Sequence, residues 1–194
     1  MKRKGFTLVE LMVVVAVIGV LSAMLVPQVS RTIDKARVSR TCAELASIAN
    51  ALNAYLADTG SYPSSVWEWG RPWGADVGLV ERGNARPSHL TSWNGPYLKN
   101  WPQRTAWGPI VGCGATGAYY IHEPIGWINR DGIGGNDQWI HMNPYCARYP
   151  PAMAREIDRT MDDGLDWGGN GNMYLTGGWP EYVYLYVGEG ARSW

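Results

Sequence analysis

The chain has 194 residues carrying 17 basic and 17 acidic side chains, so its formal charge is zero, and 46% of it is hydrophobic. That length suits a long element plus one modest core, and no basic run follows Lys4, which excludes a polybasic nucleic-acid surface. Its histidines, His89, His122 and His141, stand in no HExxH spacing, and with no GxSxG elbow or Walker loop the chain reads as a non-enzyme.

The first element dominates the sequence. Lys2, Arg3, Lys4 and Gly5 lead into a run from Phe6 to Val26 that is apolar almost throughout. As a helix that run is ~31 Å long, about the thickness of a bilayer core, and the basic cluster holds the N-terminus on the cytoplasmic side. Glu10 is out of place: a charge in such a helix costs a few kcal/mol and normally has a partner. Gly5 has no Cβ, so a protease can approach the Gly5–Phe6 bond closely; cleavage there leaves Phe6 first and Glu10 fifth in the chain. A secretory signal peptide is a poorer reading, because Leu21-Ser22-Ala23 is a weak cleavage site and a Glu inside the core is unfavourable. A plain membrane anchor explains the length but neither Gly5 before Phe6 nor Glu10, although Glu10 lies near enough to the cytoplasmic interface to snorkel.

The block GFTLVELMVVVAVIGVL resembles the class III signal of type IV pilins and type II secretion pseudopilins. The resemblance implies removal of residues 1–5 by a prepilin peptidase, methylation of Phe6, and assembly into a homo-oligomeric helical filament through the retained helix. It further implies minor pseudopilins or pilins and an inner-membrane assembly platform as partners. The expected division is a leader at 1–5, a long helix at 6–58 with 6–26 as membrane span and filament core, and a globular periplasmic or extracellular domain at 59–194. Before assembly such a chain is a single-pass protein of the inner membrane. Losing the leader takes away three basic residues and leaves the mature chain about −3. On this reading Glu10 pairs with the free amine of Phe6 on a neighbouring subunit, fixing axial register.

Pro27 removes one backbone hydrogen bond without ending the helix. From Val29 the character turns amphipathic, and Leu45, Ile48, Leu52, Tyr55 and Leu56 recur at spacings of three and four. Gly60 is placed to close the helix. The phrase TGSYPSS at 59–65 resembles the Gly-x-Tyr-Pro segment that follows the long helix in the major, G-type pseudopilins. Residues 66–93 show no sustained period and read as an irregular surface loop. Trp93–Val111 resembles the G-type phrase in which Gly-Pro-Tyr-Leu precedes an entry into the sheet, here at Trp107-Gly108-Pro109-Ile110.

Strands are expected at Ala118–His122, Gln138–Met142, Met173–Thr176 and Glu181–Val187. In the last, Val183, Leu185 and Val187 point to one face and Tyr182, Tyr184 and Tyr186 to the other. Between them, Met153, Ile157 and Met161 repeat every four residues after Pro151, which predicts a short helix over 151–163. The 11 Trp, 11 Tyr, 24 Gly and 12 Pro fit a loop-rich exterior domain whose rings fill gaps and keep their polar tips wet.

In an exported domain the natural cysteine pair is Cys113–Cys146, with two buried free thiols as the alternative, and Cys42 is a small apolar residue in helix packing. In NRDGIGGND, Asp131 and Asp137 flank a glycine-rich loop able to fold carboxylates and carbonyls around a hard cation. It also resembles the calcium loop of the G-type pseudopilins, which implies Ca2+ there. Asp162, Asp163 and Asp166 with Asn170 and Asn172 form a competing acidic loop, and plain solvated turns are the alternative to both.

The expected fold is α+β, a long helix with an apolar first half and an amphipathic second half, packed against a small antiparallel sheet with long loops. The expected function is a structural subunit of a type II secretion pseudopilus. A type IV pilin of a surface filament for adhesion, motility or DNA uptake is the alternative. A carbohydrate-binding module on a membrane stalk leaves Gly5 and Glu10 unexplained.

Overall fold

The computed structural model of the chain describes residues 6–63, 74–109, 118–122, 137–142, 149–162, 173–175 and 183–189. Its α-carbons fall into two units, Met1–Arg37 and Val38–Trp194. Helix α1 runs over Leu8–Thr59 with Pro27 inside it. In the first unit its apolar side chains are exposed from Leu8 to Ile33.

In the second unit the same helix supplies one wall of the core. Val38, Thr41, Leu45, Ile48, Leu52 and Tyr55 are all buried. Their alternating three- and four-residue spacing places them on one stripe, and the stripe begins two positions earlier than its sequence pattern shows, at Val38 and Thr41. Thr41 is tolerated there because a polar partner meets it: the Tyr119 hydroxyl bonds Thr41 and donates to Glu44 Oε2 at 2.7 Å. Leu56 is only partly buried. The helix ends where Gly60 turns to φ +80° while its N–H bonds the carbonyl of Leu56 at 2.8 Å, and the Thr59 hydroxyl donates to the Tyr55 carbonyl at 2.7 Å.

From Gly74 onward the segment expected as a surface loop is packed into the core. Val77, Leu79 and Ala85 are buried in the core, and two 3-10 turns, Arg82–Asn84 and Pro87–His89, shape what lies between. The Asp76 carboxylate organises it, accepting the backbone N–H groups of Leu79, Val80 and Glu81 at 2.9, 3.1 and 3.0 Å. Two indoles pin it: Trp93 Nε1 donates to the Gly78 carbonyl at 2.7 Å and Trp101 Nε1 to the Gly74 carbonyl at 2.6 Å. Gly78 sits at φ +99°, where a Cβ would lie 2.6 Å from the Ala85 backbone, so only glycine lets these strands of chain close up.

The four-stranded antiparallel sheet is built from β3 (Tyr120–His122), β4 (Asp137–Met142), β5 (Met173–Leu175) and β6 (Val183–Glu189), in the order β3-β4-β6-β5. Arg104–Thr105 (β1) and Gly108–Pro109 (β2) form a separate two-stranded ribbon, so Trp107-Gly108-Pro109 does not enter the main sheet as the phrase suggested. Ile121, Ile140 and Leu185 align across β3, β4 and β6 and are buried in the core.

The opposite face is aromatic and is also covered. Tyr184 is 3% exposed and stacks on His141 with centroids 4.4 Å apart, and Tyr186 meets Trp139 edge-on at 5.3 Å. The tyrosine face of β6 is therefore a second packing layer, and Tyr184 at least does not keep its ring at the surface. Helix α2 (Pro151–Met161) opens on proline as expected and buries Ala154 and Ile157. Tyr62 ties the helix end to the sheet: its hydroxyl donates to Asn53 Oδ1 at 2.8 Å and occupies the space a Cβ on Gly188 would need.

Candidate functional site

The start of α1 is a polar knot on an apolar rod. Thr7 stands at the N-cap position with Glu10 three residues on. The Thr7 N–H donates to Glu10 Oε2 at 2.9 Å, the Thr7 hydroxyl donates to the same oxygen at 2.7 Å, and the Glu10 N–H reaches back to Thr7 Oγ1 at 3.2 Å. This is a capping box, two orphan amides of the first turn satisfied reciprocally. The signal for it, Thr-x-x-Glu before an apolar run, stands in the sequence. The lipid-based reading of Glu10 as a charge in need of a distant partner passed it over. The box engages Oε2 alone; Oε1 takes no hydrogen bond among the described residues.

Around the knot the apolar surface is uncovered among the described residues. Phe6 is 80% exposed, Leu8 70%, Val20 59% and Ile33 46%. The helix is long and apolar enough to cross a membrane, and none of its most apolar window is buried within the chain. A contiguous apolar surface of this extent requires lipid or other proteins to cover it.

The remaining expected site residues are placed unevenly. Gly5, Cys113, Cys146 and Asp131 lie outside the described residues, as do Asp163, Asp166, Asn170 and Asn172. Asp137 is the first residue of β4, paired with Glu189. Asp162 ends α2, and its Oδ2 accepts the Met173 N–H at 3.1 Å, tying the helix to β5. Among the described residues no three His, Cys, Asp or Glu side chains gather as a metal group. Cys42 is a half-buried thiol whose pKa burial pushes up, consistent with a packing role.

A second polar cluster, at the far end of α1, has no signature in the sequence. His89 is 6% exposed and lies between two hydroxyls, with Tyr55 Oη 2.7 Å from Nδ1 and Ser61 Oγ 2.9 Å from Nε2. Burial lowers the His89 pKa and nearby Arg86 lowers it further, while burial pushes Tyr55 up to about 12. Tyr97 meets Tyr55 edge-on at 5.4 Å and donates its hydroxyl to Asp58 Oδ2 at 2.9 Å.

Comparison with known proteins converges on the same N-terminal chemistry. Residues 1–26 match the prokaryotic N-terminal methylation motif, and residues 32–112 match the PilW C-terminal family. The chain is 34% identical over 142 residues to a type II secretion system core protein G of Pseudomonas aeruginosa, covering 70% of this chain and 92% of the relative. It is 32% identical over 107 residues to the protein of that name from Aeromonas hydrophila, 55% of this chain and 69% of the relative. It is 45% identical over 56 residues to a type IV major fimbrial protein of Dichelobacter nodosus, 29% of this chain and 36% of the relative. No solved structure matches the chain.

Proposed function

Because the chain belongs to the family of type II secretion system core protein G, whose members are pilin-like structural subunits, we propose that it builds the filament of a type II secretion system. The carrying observation is the match that spans 92% of the Pseudomonas aeruginosa relative, helix and globular domain together. Two fimbrial relatives are matched over 36% and 56% of their lengths, against 92% of the Pseudomonas aeruginosa protein, which favours the secretion reading over a surface pilus. On this proposal a prepilin peptidase cuts between Gly5 and Phe6, the helix anchors the chain in the inner membrane, and the globular domain stands in the periplasm. An assembly platform then draws the subunit into a filament with its minor pseudopilins. The role is structural, without a catalytic step.

One allele tests processing and function together. Gly5→Val places a β-branched side chain at the bond to be cut, so mass spectrometry should find residues 1–5 retained, where the native chain begins at a methylated Phe6. In the native host the same allele should abolish release of secreted proteins to the medium and leave surface filaments unchanged. Loss of surface filaments with secretion intact would select the fimbrial alternative.

A Ca2+ ion held by Asp131 and Asp137, and a Cys113–Cys146 disulfide, belong to the same proposal. What supports the cation is the glycine-rich spacing of the two carboxylates, the second of which opens a paired strand. Calcium at about a hundred times its dissociation constant stabilises the folded state by about 2.7 kcal/mol. The melting temperature should therefore rise with calcium, fall with chelator, and do neither in the Asp131→Ala/Asp137→Ala chain.

A further inference from the structure

We propose that Tyr55, His89 and Ser61 form an acid-sensitive latch, which holds segment 74–101 against the C-terminal end of α1 and releases it when His89 is protonated. The argument is one of proton order. The Tyr55 side chain is fully buried, and the backbone amide of Arg86 lowers the pKa of its hydroxyl, the effect of a donor facing the oxygen. Its own proton therefore goes to His89 Nδ1, 2.7 Å away, which makes Nδ1 the acceptor and leaves the proton of the neutral ring on Nε2. That N–H donates to Ser61 Oγ at 2.9 Å. The order of donation thus runs in one direction, from Tyr55 through His89 to Ser61.

A second proton on His89 has only one place to go, Nδ1, where it faces the Tyr55 hydroxyl proton. One of the two donors must then lose its acceptor inside the core, and a buried donor left unsatisfied costs its full desolvation. The surroundings give the imidazolium little help. Arg86, on the same segment, carries the same charge, and the Asp58 carboxylate at the helix end accepts the Tyr97 hydroxyl. Asp76 is occupied by the backbone amides of Leu79, Val80 and Glu81.

The sign follows. Because burial lowers the folded-state pKa of His89, the unfolded chain takes up the proton first as pH falls below the usual imidazole value of about 6.5. The latch is at full strength above that value and is lost as pH falls from there through the folded-state pKa. A subunit outside the cytoplasm meets ambient pH directly, so the latch would loosen this segment in acid while leaving the core stripe of α1 in place.

Hydrogen exchange on the full chain in detergent, corrected for intrinsic rates, reads the latch. Protection of amides in 78–98 should be several-fold lower at pH 5 than at pH 7.5, the direction set by a His89 pKa held below its unfolded value, while amides of β4 and β6 hold. In Tyr55→Phe the opposing proton is gone, so the pH step in 78–98 should shrink. His89→Gln cannot titrate and should show none. Equal protection of the native chain at both pH values overturns the proposal, and so does a His89 imidazole that titrates at or above 6.5 by NMR. A pH step of native size in His89→Gln would also overturn it, by assigning the effect to carboxylates.

Discussion

Glu10→Leu yields a chain that folds and inserts in the membrane but builds no filament. Three facts carry the expectation. Glu10 stands on the half of α1 whose apolar side chains are exposed among the described residues, the Thr7 capping box holds only its Oε2, and Oε1 has no hydrogen bond among those residues. An uncompensated carboxylate in an apolar assembly is expensive, so subunits should pack where its free oxygen meets a cation. The amine exposed at Phe6 by cleavage is the cation proposed. Loss of the capping box costs about 1 kcal/mol at the helix end, and the core begins only at Val38, so the domain's melting temperature should not move. Glu10→Gln separates the two roles, because a neutral amide oxygen still accepts the Thr7 N–H but carries no charge. Normal filament yield from Glu10→Leu would sink the pairing. Normal yield from Glu10→Gln, with failure of Glu10→Leu, would reduce Glu10 to a cap.

Where a segment's order is periodic, the sequence shows it. The stripe Leu45-Ile48-Leu52-Tyr55, the repeat of Met153, Ile157 and Met161 after Pro151, and strands β4 and β6 all lie close to where alternation and spacing place them. Where order comes from single long-range bonds, periodicity is silent. The segment from Gly74 to Trp101 is held by one carboxylate on three amides and by two indoles on glycine carbonyls, contacts that leave no repeat to read. Part of the tryptophan richness of the chain is explained there: an indole fills space and satisfies one carbonyl in a segment whose regular structure is two short 3-10 turns. His89 was invisible for the same reason, its partners standing 34 and 28 residues away. Thr7 was legible as a cap, and a single-chain structure was enough to show it.

Leu52→Ala and Leu45→Ala should each lower the melting temperature by a large step. Both leucines are 0% exposed, and removing three carbons from such a site costs about 2–5 kcal/mol through lost transfer energy and the cavity left behind. Against the 5–15 kcal/mol typical of a folded domain that is a large share, and for a domain of this size it corresponds to a fall of about 5–15 °C. The control lies on the same helix. Val20 is 59% exposed, so Val20→Ala removes apolar surface that the single chain never buries, and the melting temperature should stay unchanged. Its effect should appear only in assembly, as weaker filaments, because in the filament proposed here neighbouring helices cover that surface. Differential scanning calorimetry of the two variants in detergent makes the comparison, with electron microscopy of filaments from the same strains. If Val20→Ala melts as low as Leu52→Ala, the apolar first half of the helix is serving the fold of its own chain, and the division of α1 into an outward-facing half and a core-forming half is wrong.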